Sequence, residues 1–410
     1  MAAAHPPAPL PQQEGGDEPL DLTLEAEDDD RYARFRLIHW WDQQRLHDAR
    51  VLVVGAGALG NEIVKQLGLL GVGHVMVADM DTIERSNLTR AVLFRERDLG
   101  QAKAEVICRA VEELNPEVLA QPFVGNAVYD LGAGVYSEMD LVFGALDNRE
   151  ARVSINQHCW NLNIPWIDGA IEVMQGVARM FLPPDGPCYE CTMSELDYKL
   201  LNMRRSCALL TRAEMDTGKV PTTPTTASIT AGIQVQEAVK YLHRDRGLPL
   251  LAGQGFVYNG LNNDSYVVTY QRRDDCLAHY TYPEVIPTDF GSETPAGEIL
   301  DFVRHELGPG AVLDLSREVC VALRCKNCGE LQPLFRSLGQ VTETEGRCPT
   351  CGEMRDPELM HTLEGDEPYL DKTLGQLGIP PYDIFTGRVG LEMKHYVMGA
   401  DRAQVMGKLA

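Results

Sequence analysis

The sequence predicts an α/β fold built on a mostly parallel sheet, and three observations predict it. Val51 to Val54 form a short continuous apolar run that stops at a glycine, the pattern of a strand buried on both faces. Gly55, Gly57 and Gly60 come next as G-x-G-x-x-G, and a helical pattern continues through Gln66. A second apolar run, Val75 to Ala78, ends on Asp79, about 20 residues past the last glycine, where a ribose-binding carboxylate is expected. Strand, glycine turn, helix and strand make a Rossmann-like unit. Its glycines permit a tight turn and close backbone approach to phosphate, and the helix N-terminus favours negative charge.

Length and charge bound what the fold can serve. The chain has 410 residues, enough for two or three domains. Its net charge of −23, from 60 acids against 37 bases, argues against nucleic acid or an anionic membrane as partner. A basic or neutral protein partner suits it better. No run of eighteen apolar residues is present, so no membrane span is expected. The absence of Lys and Arg before Arg31 removes the n-region of a signal peptide, and the expectation is a cytoplasmic protein. In that setting eleven cysteines point to metal or catalysis before disulfides. Residues 1–30, rich in Pro, Ala, Asp and Glu, read as a disordered acidic tail.

Taken in order, Arg31 opens RYARFRLIHWWDQQRL, whose apolar residues recur at helical spacing and read as a helix packed on the first strand unit. Ala104 to Leu114 read as an amphipathic helix, Val118 to Phe123 as a strand. Asp140 to Gly144 form another strand, running into ALDNREAR. Asp147 there lies at the carboxyl end of a parallel strand, where open α/β sheets bind ligands; alternatively it caps the helix Arg149 to Trp160. Ile164 to Glu172 and Gln175 to Leu182 read as a hairpin. With Gly255 to Asn259 and Tyr266 to Gln271 they form an antiparallel extension of the sheet. Between them, Ser194 to Pro221 read as a helix and a mobile crossover loop, leading to a long helix from Thr226 to His243.

The stretch from Glu284 to Gly297 reads as a linker. A C-terminal domain comes after it, with a helix from Glu298 to Leu307, a strand from Leu313 to Leu323 and a last strand from Lys394 to Met398. Cys325-x2-Cys328 and Cys348-x2-Cys351 have zinc-ribbon spacing, each pair ending Cys-Gly on a knuckle turn. Four thiolates leave no open position, so that zinc would be structural. Cys188-x2-Cys191 and Cys276-x2-His279 could close a second tetrahedral site, although the spacing between these pairs does not by itself establish it. Cys108, Cys159 and Cys320 sit on apolar faces and read as core.

The residues beyond Asp79 narrow the chemistry. The chain offers Asp81, then Ser86-Asn87-Leu88-Thr89-Arg90, then Lys103. Cations beyond the ribose acid suit a nucleoside triphosphate better than a dinucleotide, because they neutralise phosphate. Here the sequence resembles the ThiF/MoeB superfamily, adenylating enzymes that activate ubiquitin-like and sulfur-carrier proteins. The D-x-D-x5-N-L-x-R pattern carries the resemblance, which covers about residues 31–282. Ala91 stands where the family has glutamine after the arginine.

The resemblance implies further roles. Arg34 would reach the ATP phosphates of a partner protomer, with Phe35 in place of the family's glutamine. Asp79, Asp81, Asn87, Arg90, Lys103 and Asn148 would contact nucleotide beside the glycine turn, and Asp147 would hold magnesium. The pairs Cys188, Cys191 and Cys276, His279 occupy the places of two C-x-x-C zinc pairs, which gives two zincs per chain. Cys207, flanked by Arg204, Arg205 and Arg212, falls in the crossover loop that carries the thioester cysteine of ubiquitin-like activators.

The implied architecture is an adenylation domain over 31–290, with a crossover loop at about 194–224, and a zinc-ribbon-containing domain over 291–410. The implied protein is a homodimer that uses ATP and magnesium to activate a ubiquitin-like protein ending in glycine, then passes it to a conjugating enzyme. The PTTPTTASITAGIQVQEAVKYL segment and an excess of Arg over Lys suggest activators of bacterial ubiquitin-like operons. Alternatives are a sulfur-carrier adenylyltransferase of the molybdopterin or thiamine type, a nicotinamide-dependent oxidoreductase and a non-catalytic partner subunit.

Overall fold

A computed structural model describes residues 30–194 and 221–410. The expectations for the acidic tail before residue 30, for the crossover loop and for Cys207 lie outside these residues. The chain divides after Trp41 into two compact units. Of the first, residues 30–41 contain a single 3-10 turn, Phe35–Leu37, and the Phe35 and Trp41 rings lie 4.7 Å apart. The continuous helix expected from Arg31 is therefore absent. Ile38 turns to an extended conformation, and a new helix, α1 (Gln43–Asp48), starts after Asp42, whose carboxylate accepts from Gln44 N at 3.2 Å.

The second unit, Asp42–Ala410, contains two sheets. The first has eight strands: β1 (Arg50–Val54), β2 (His74–Asp79), β3 (Leu119–Val124), β4 (Leu141–Gly144), β5 (Trp166–Glu172), β6 (Gln175–Phe181), β7 (Gln254–Asn259) and β8 (Asp264–Thr269). Their order is β3-β2-β1-β4-β5-β6-β7-β8. The first five are parallel and the last three antiparallel, so the mostly parallel sheet with an antiparallel extension is present. Val51 to Val54 are buried, as their unbroken apolar run requires.

The connecting helices are α2 (Ala58–Leu70), α3 (Lys103–Leu114), α4 (Ala133–Ser137), α5 (Arg149–Asn161) and α6 (Pro224–Leu242). Thr223 caps α6 and Pro224 occupies its first turn. Helix α6 lies across β5 and β6, and its buried Gln234 donates to the carbonyls of Gly144 and Ile167 at 3.2 and 3.1 Å.

The second sheet corrects the reading of 284–297 as a linker. Val285–Thr288 is a strand, β9, paired in parallel with β14 (Glu392–Met398), and helix α7 (Ala296–Leu307) starts inside the same stretch. The strand's partner lies more than a hundred residues away, so no local pattern announces it. Strands β10 (Val312–Arg324), β11 (Leu331–Ser337), β12 (Asp356–Leu363) and β13 (Ile384–Val389) complete a sheet ordered β11-β10-β13-β14-β9, with β12 also pairing with β10. Hydrogen bonds join the two sheets. Asp383 accepts from Ala133 N at 2.8 Å, Arg317 donates to the Tyr129 carbonyl at 2.8 Å, and the Tyr382 hydroxyl donates to Glu138 at 2.7 Å. No helix among the described residues is long and apolar enough to cross a membrane.

Asp168 on β5 is fully buried, and two arginines meet it: Arg152 of α5 at 2.8 Å and Arg179, its cross-strand neighbour on β6, at 2.9 Å. Burial acts to raise its pKa, but the Arg179 and Arg152 guanidiniums outweigh burial and hold it below the usual carboxylate value. Removing the carboxylate leaves two cations without their partner. Asp168→Asn is expected to destabilise this unit by about 3–5 kcal/mol in urea unfolding near pH 7. A depressed native pKa contributes stability that is present above the unfolded value of 3.8 and is lost as pH falls through the native pKa. The gap between wild type and variant should therefore narrow only below pH 3.8; a gap that closed nearer neutrality would contradict this assignment.

Candidate functional site

The carboxyl edge of the parallel strands gathers most of the residues expected to bind nucleotide. Gly55 succeeds β1 with φ +102°, and a Cβ there would lie 2.4 Å from the carbonyl oxygen of Ala145, just past β4. On Gly60 a Cβ would lie 1.9 Å from the Gly55 oxygen, whereas nothing lies within 4 Å of one on Gly57. The first and third glycines thus close the turn against neighbouring backbone. The middle one leaves space at the N-terminus of α2, a cradle that fits a phosphate group.

Asp79, at the end of β2, ties this turn down: its carboxylate accepts from Ala56 N at 2.7 Å and from Asp81 N at 2.8 Å. Burial raises its pKa, and Lys103 acts against that rise. Lys103 opens α3 with its side chain largely buried, and its ammonium donates to Asp81 at 2.7 Å. Glycine turn, Asp79, Asp81 and Lys103 are therefore one connected group. Arg90 stands apart from it, donating to the Ser86 carbonyl at 2.8 Å. The Asn87 side chain accepts from Glu84 N at 2.9 Å and so closes a 3-10 turn over Arg85–Thr89.

Asp147 is exposed beyond β4. The alternative reading of it as the cap of α5 is corrected: Asn148 is the cap, accepting from Ala151 N at 2.8 Å. The cap occupies the Asn148 oxygen and leaves its amide NH2 for a ligand. Arg34 lies in the first unit and Cys207 outside the described residues.

Three residues that sequence reasoning missed shape this edge. Asn61, buried on α2, donates to the carbonyls of Ala56 and Gly57 at 2.9 and 3.0 Å and accepts from Leu93 N at 3.0 Å. It joins the glycine turn to the segment after Arg90. Arg152 donates to the Leu146 carbonyl, next to Asp147, and is itself held by Asp168. The signal available was polarity: Asn61 and Arg152 each interrupt the apolar face of a helix. Asp168 had only a strand of apolar neighbours to set it off.

Two further groups have the composition of metal centres. Cys188, Cys191, Cys276 and His279 bring one ligand atom each to within 4.8 Å of one another, as do Cys325, Cys328, Cys348 and Cys351. Tetrahedral zinc with sulfur at about 2.3 Å sets sulfur–sulfur edges of about 3.8 Å. Cys188 Sγ lies 3.8 Å from Cys191 Sγ and 3.6 Å from Cys276 Sγ, and Cys191 Sγ lies 3.3 Å from His279 Nε2. In the second group, Cys325–Cys351 and Cys328–Cys348 are each 3.5 Å apart. Both sets fit zinc. The second is framed by two matching knuckles: Gly329 N donates to Cys325 O and Gly352 N to Cys348 O, and both glycines have positive φ. The first set is tied to α5, because Asn156 accepts from Tyr189 N at 2.9 Å. Elemental analysis of the purified chain should find zinc at both groups; Cys188→Ser/Cys191→Ser and Cys325→Ser/Cys328→Ser should each halve the content. A full complement in either variant would exclude that group as a zinc site.

The comparisons with known proteins agree with this geometry. Residues 30–278 match the ThiF family. The chain is 34% identical over 266 residues to the SAMP-activating enzyme E1 of Haloferax volcanii, covering 63% of this chain and 91% of that protein. It is 36% identical over 167 residues to the molybdopterin-synthase adenylyltransferase of Escherichia coli, covering 39% and 66%. With the ubiquitin-activating enzyme E1-like protein of Saccharomyces cerevisiae it shares 35% over 155 residues, spanning only 24% of that protein. The crystal structure of Escherichia coli MccB with ATP has the same fold, with a TM-score of 0.51 at 23% identity over 62% of this chain and 75% of that one.

Proposed function

The chain belongs to the ThiF family, and from that premise we propose that it activates the C-terminal glycine of a ubiquitin-like protein with ATP and carries the product as a thioester on Cys207. The observation that supports this most is the connected group of glycine turn, Asp79, Asp81 and Lys103 along the edge of the parallel strands, with Asp147 beside the end of β4. Phosphates would fit over Gly57, with Asp79 on the ribose and Lys103 near the phosphate chain, and Arg90 would leave the Ser86 carbonyl to join them.

In the first step the modifier's carboxylate oxygen attacks the α-phosphorus, and the bond to the bridging oxygen breaks to release pyrophosphate. Magnesium at Asp147 would neutralise charge on the phosphates and the leaving group. The protein supplies position and charge rather than a covalent group at this stage. In the second step the Cys207 thiolate attacks the acyl carbon and AMP leaves, giving a thioester for a conjugating enzyme to accept. The two zincs would be structural. The second reading is a sulfur-carrier adenylyltransferase, which would stop at the acyl-adenylate; it is favoured by the likeness to the Escherichia coli molybdopterin-synthase adenylyltransferase.

Modifier-dependent exchange of pyrophosphate into ATP tests the first step. Asp147→Asn should lower it by about 100-fold with the fold intact, and measurable hydride transfer in place of exchange would establish the oxidoreductase alternative. A non-reducing gel of enzyme, modifier and ATP tests the second. A thiol-labile band lost in Cys207→Ala supports the thioester; a band that survives that change, or no band beside full exchange, removes it and leaves the sulfur-carrier reading.

Arg34 would act in the partner protomer of a homodimer. Arg34→Ala and Asp147→Asn chains, each inactive alone, should on mixing recover about a quarter of wild-type exchange, because half the dimers are mixed and each mixed dimer has one intact site. No recovery after demonstrated subunit exchange would place Arg34 outside the partner's site.

A further inference from the structure

A groove of about 760 Å³ runs between α7 and β9, the outermost strand of the second sheet, outside the residues matched to the family. Its floor is aromatic. The Phe290 and Phe302 rings meet edge to face at 5.0 Å, and Phe302 and Tyr396 do so at 5.2 Å. Its rim is acidic, with Asp289, Glu293 and Glu298 exposed and without counter-ions among the described residues. Glu306 adds a fourth carboxylate, shared with Lys394 at 3.4 Å. The Tyr396 side chain, which lines this groove, is 1% exposed, and its hydroxyl has no hydrogen-bond partner among the described residues. A buried hydroxyl left unsatisfied is costly, and here the side chain lies beside the Phe302 ring with the Glu306 carboxylate acting on it.

We propose that this groove binds an extended, Lys- or Arg-rich segment of a partner protein, with one cationic side chain inserted among Phe290, Phe302 and Tyr396. A guanidinium or ammonium is the group that all three features serve. The ring faces attract it, the rim carboxylates pair with it, and it donates the hydrogen bond that the Tyr396 oxygen lacks. Recognition falls to side chains rather than to strand addition, because β9 is only four residues long and Pro287 within it has no N–H to offer. A second copy of this chain, at net charge −23, is a poor occupant, and an acidic segment is a worse one. The inference is independent of the nucleotide chemistry, since none of these residues belongs to the edge described above.

The test uses the full chain and fluorescence anisotropy with three labelled octapeptides, alternating leucine with arginine, glutamine or glutamate. The arginine peptide should bind and the other two should not. Because any protein this acidic attracts cations, the comparison is between two double charge reversals: Glu293→Lys/Glu298→Lys at the rim, and Asp185→Lys/Asp264→Lys at exposed positions in the loop after β6 and at the start of β8. The rim variant should weaken binding by about tenfold and the other should change it by less than about twofold. Tyr396→Phe should also weaken binding while leaving the thermal midpoint equal or higher, because it removes a hydroxyl that the free protein does not use. Equal weakening by the two double variants overturns the proposal, as does binding of the glutamine peptide as tightly as the arginine one. So does an absence of wild-type binding at about 100 µM chain, or unchanged binding by Tyr396→Phe.

Discussion

The antiparallel extension, the helix after β4 and the loop that bears Asp147 all depend on one buried carboxylate. Asp168 could not remain ionised in the core by itself, since a charge removed from water needs partners of opposite sign. Its partners come from two directions, Arg179 across the hairpin and Arg152 from α5. Each arginine is in turn fixed by the aspartate. Arg152 has further donors, and it directs them to the carbonyls of Leu146 and Gly169. The ion triad therefore does more than join a helix to two strands. It holds the backbone immediately before Asp147, whose exposed side chain has no hydrogen bond or ion pair among the described residues.

The same mutual support recurs around the glycine turn. Asp79 is held by backbone amides of the turn and of Asp81, and Asp81 pairs with Lys103, whose own N–H donates to the Asp81 carbonyl at 2.9 Å. Every member of this group is positioned by another member. A ligand arriving there meets groups already oriented, which lowers the ordering cost of binding. The Lys103–Asp81 pair also means that the cation is already shared, so in the proposed site a phosphate would have to compete with a carboxylate for it.

The first sheet was largely legible in the residues. Its strands are unbroken apolar runs, its turn needs glycine at two positions where a side chain would collide with backbone, and both signals are local. The second sheet was legible only in its zinc-ribbon cysteines, its first helix and its first and last long strands. Strands β11 and β12, LQPLFRS and DPELMHTL, alternate poorly because each is half exposed and draws its stability from pairing with β10 rather than from burying a face. Strand β9 was hidden for the same reason. At the candidate site, spacing alone identified Cys325 to Cys351, while the pairing of Cys276 and His279 with Cys188 and Cys191 needed the resemblance, because Cys191 and His279 are 88 residues apart. Asn61, Arg152 and Asp168 escaped notice because their work is internal. They hold other groups, and only the packed structure shows what is being held.

The last turn of the chain folds back against the first sheet. Lys408 N donates to Gln121 on β3 at 3.0 Å, its ammonium donates to Glu112 on α3 at 2.6 Å, and Arg50 at the start of β1 donates to the Leu409 carbonyl at 2.6 Å. Just before β9, Tyr282 N donates to the Asn161 carbonyl of α5 at 2.7 Å, so the second sheet is attached at both its beginning and its end to the scaffold that carries the glycine turn. Such a double attachment suppresses hinge motion between the sheets. Whatever settles on the outer sheet is then held at a fixed bearing to the carboxyl edge of the first, as a jig holds a workpiece.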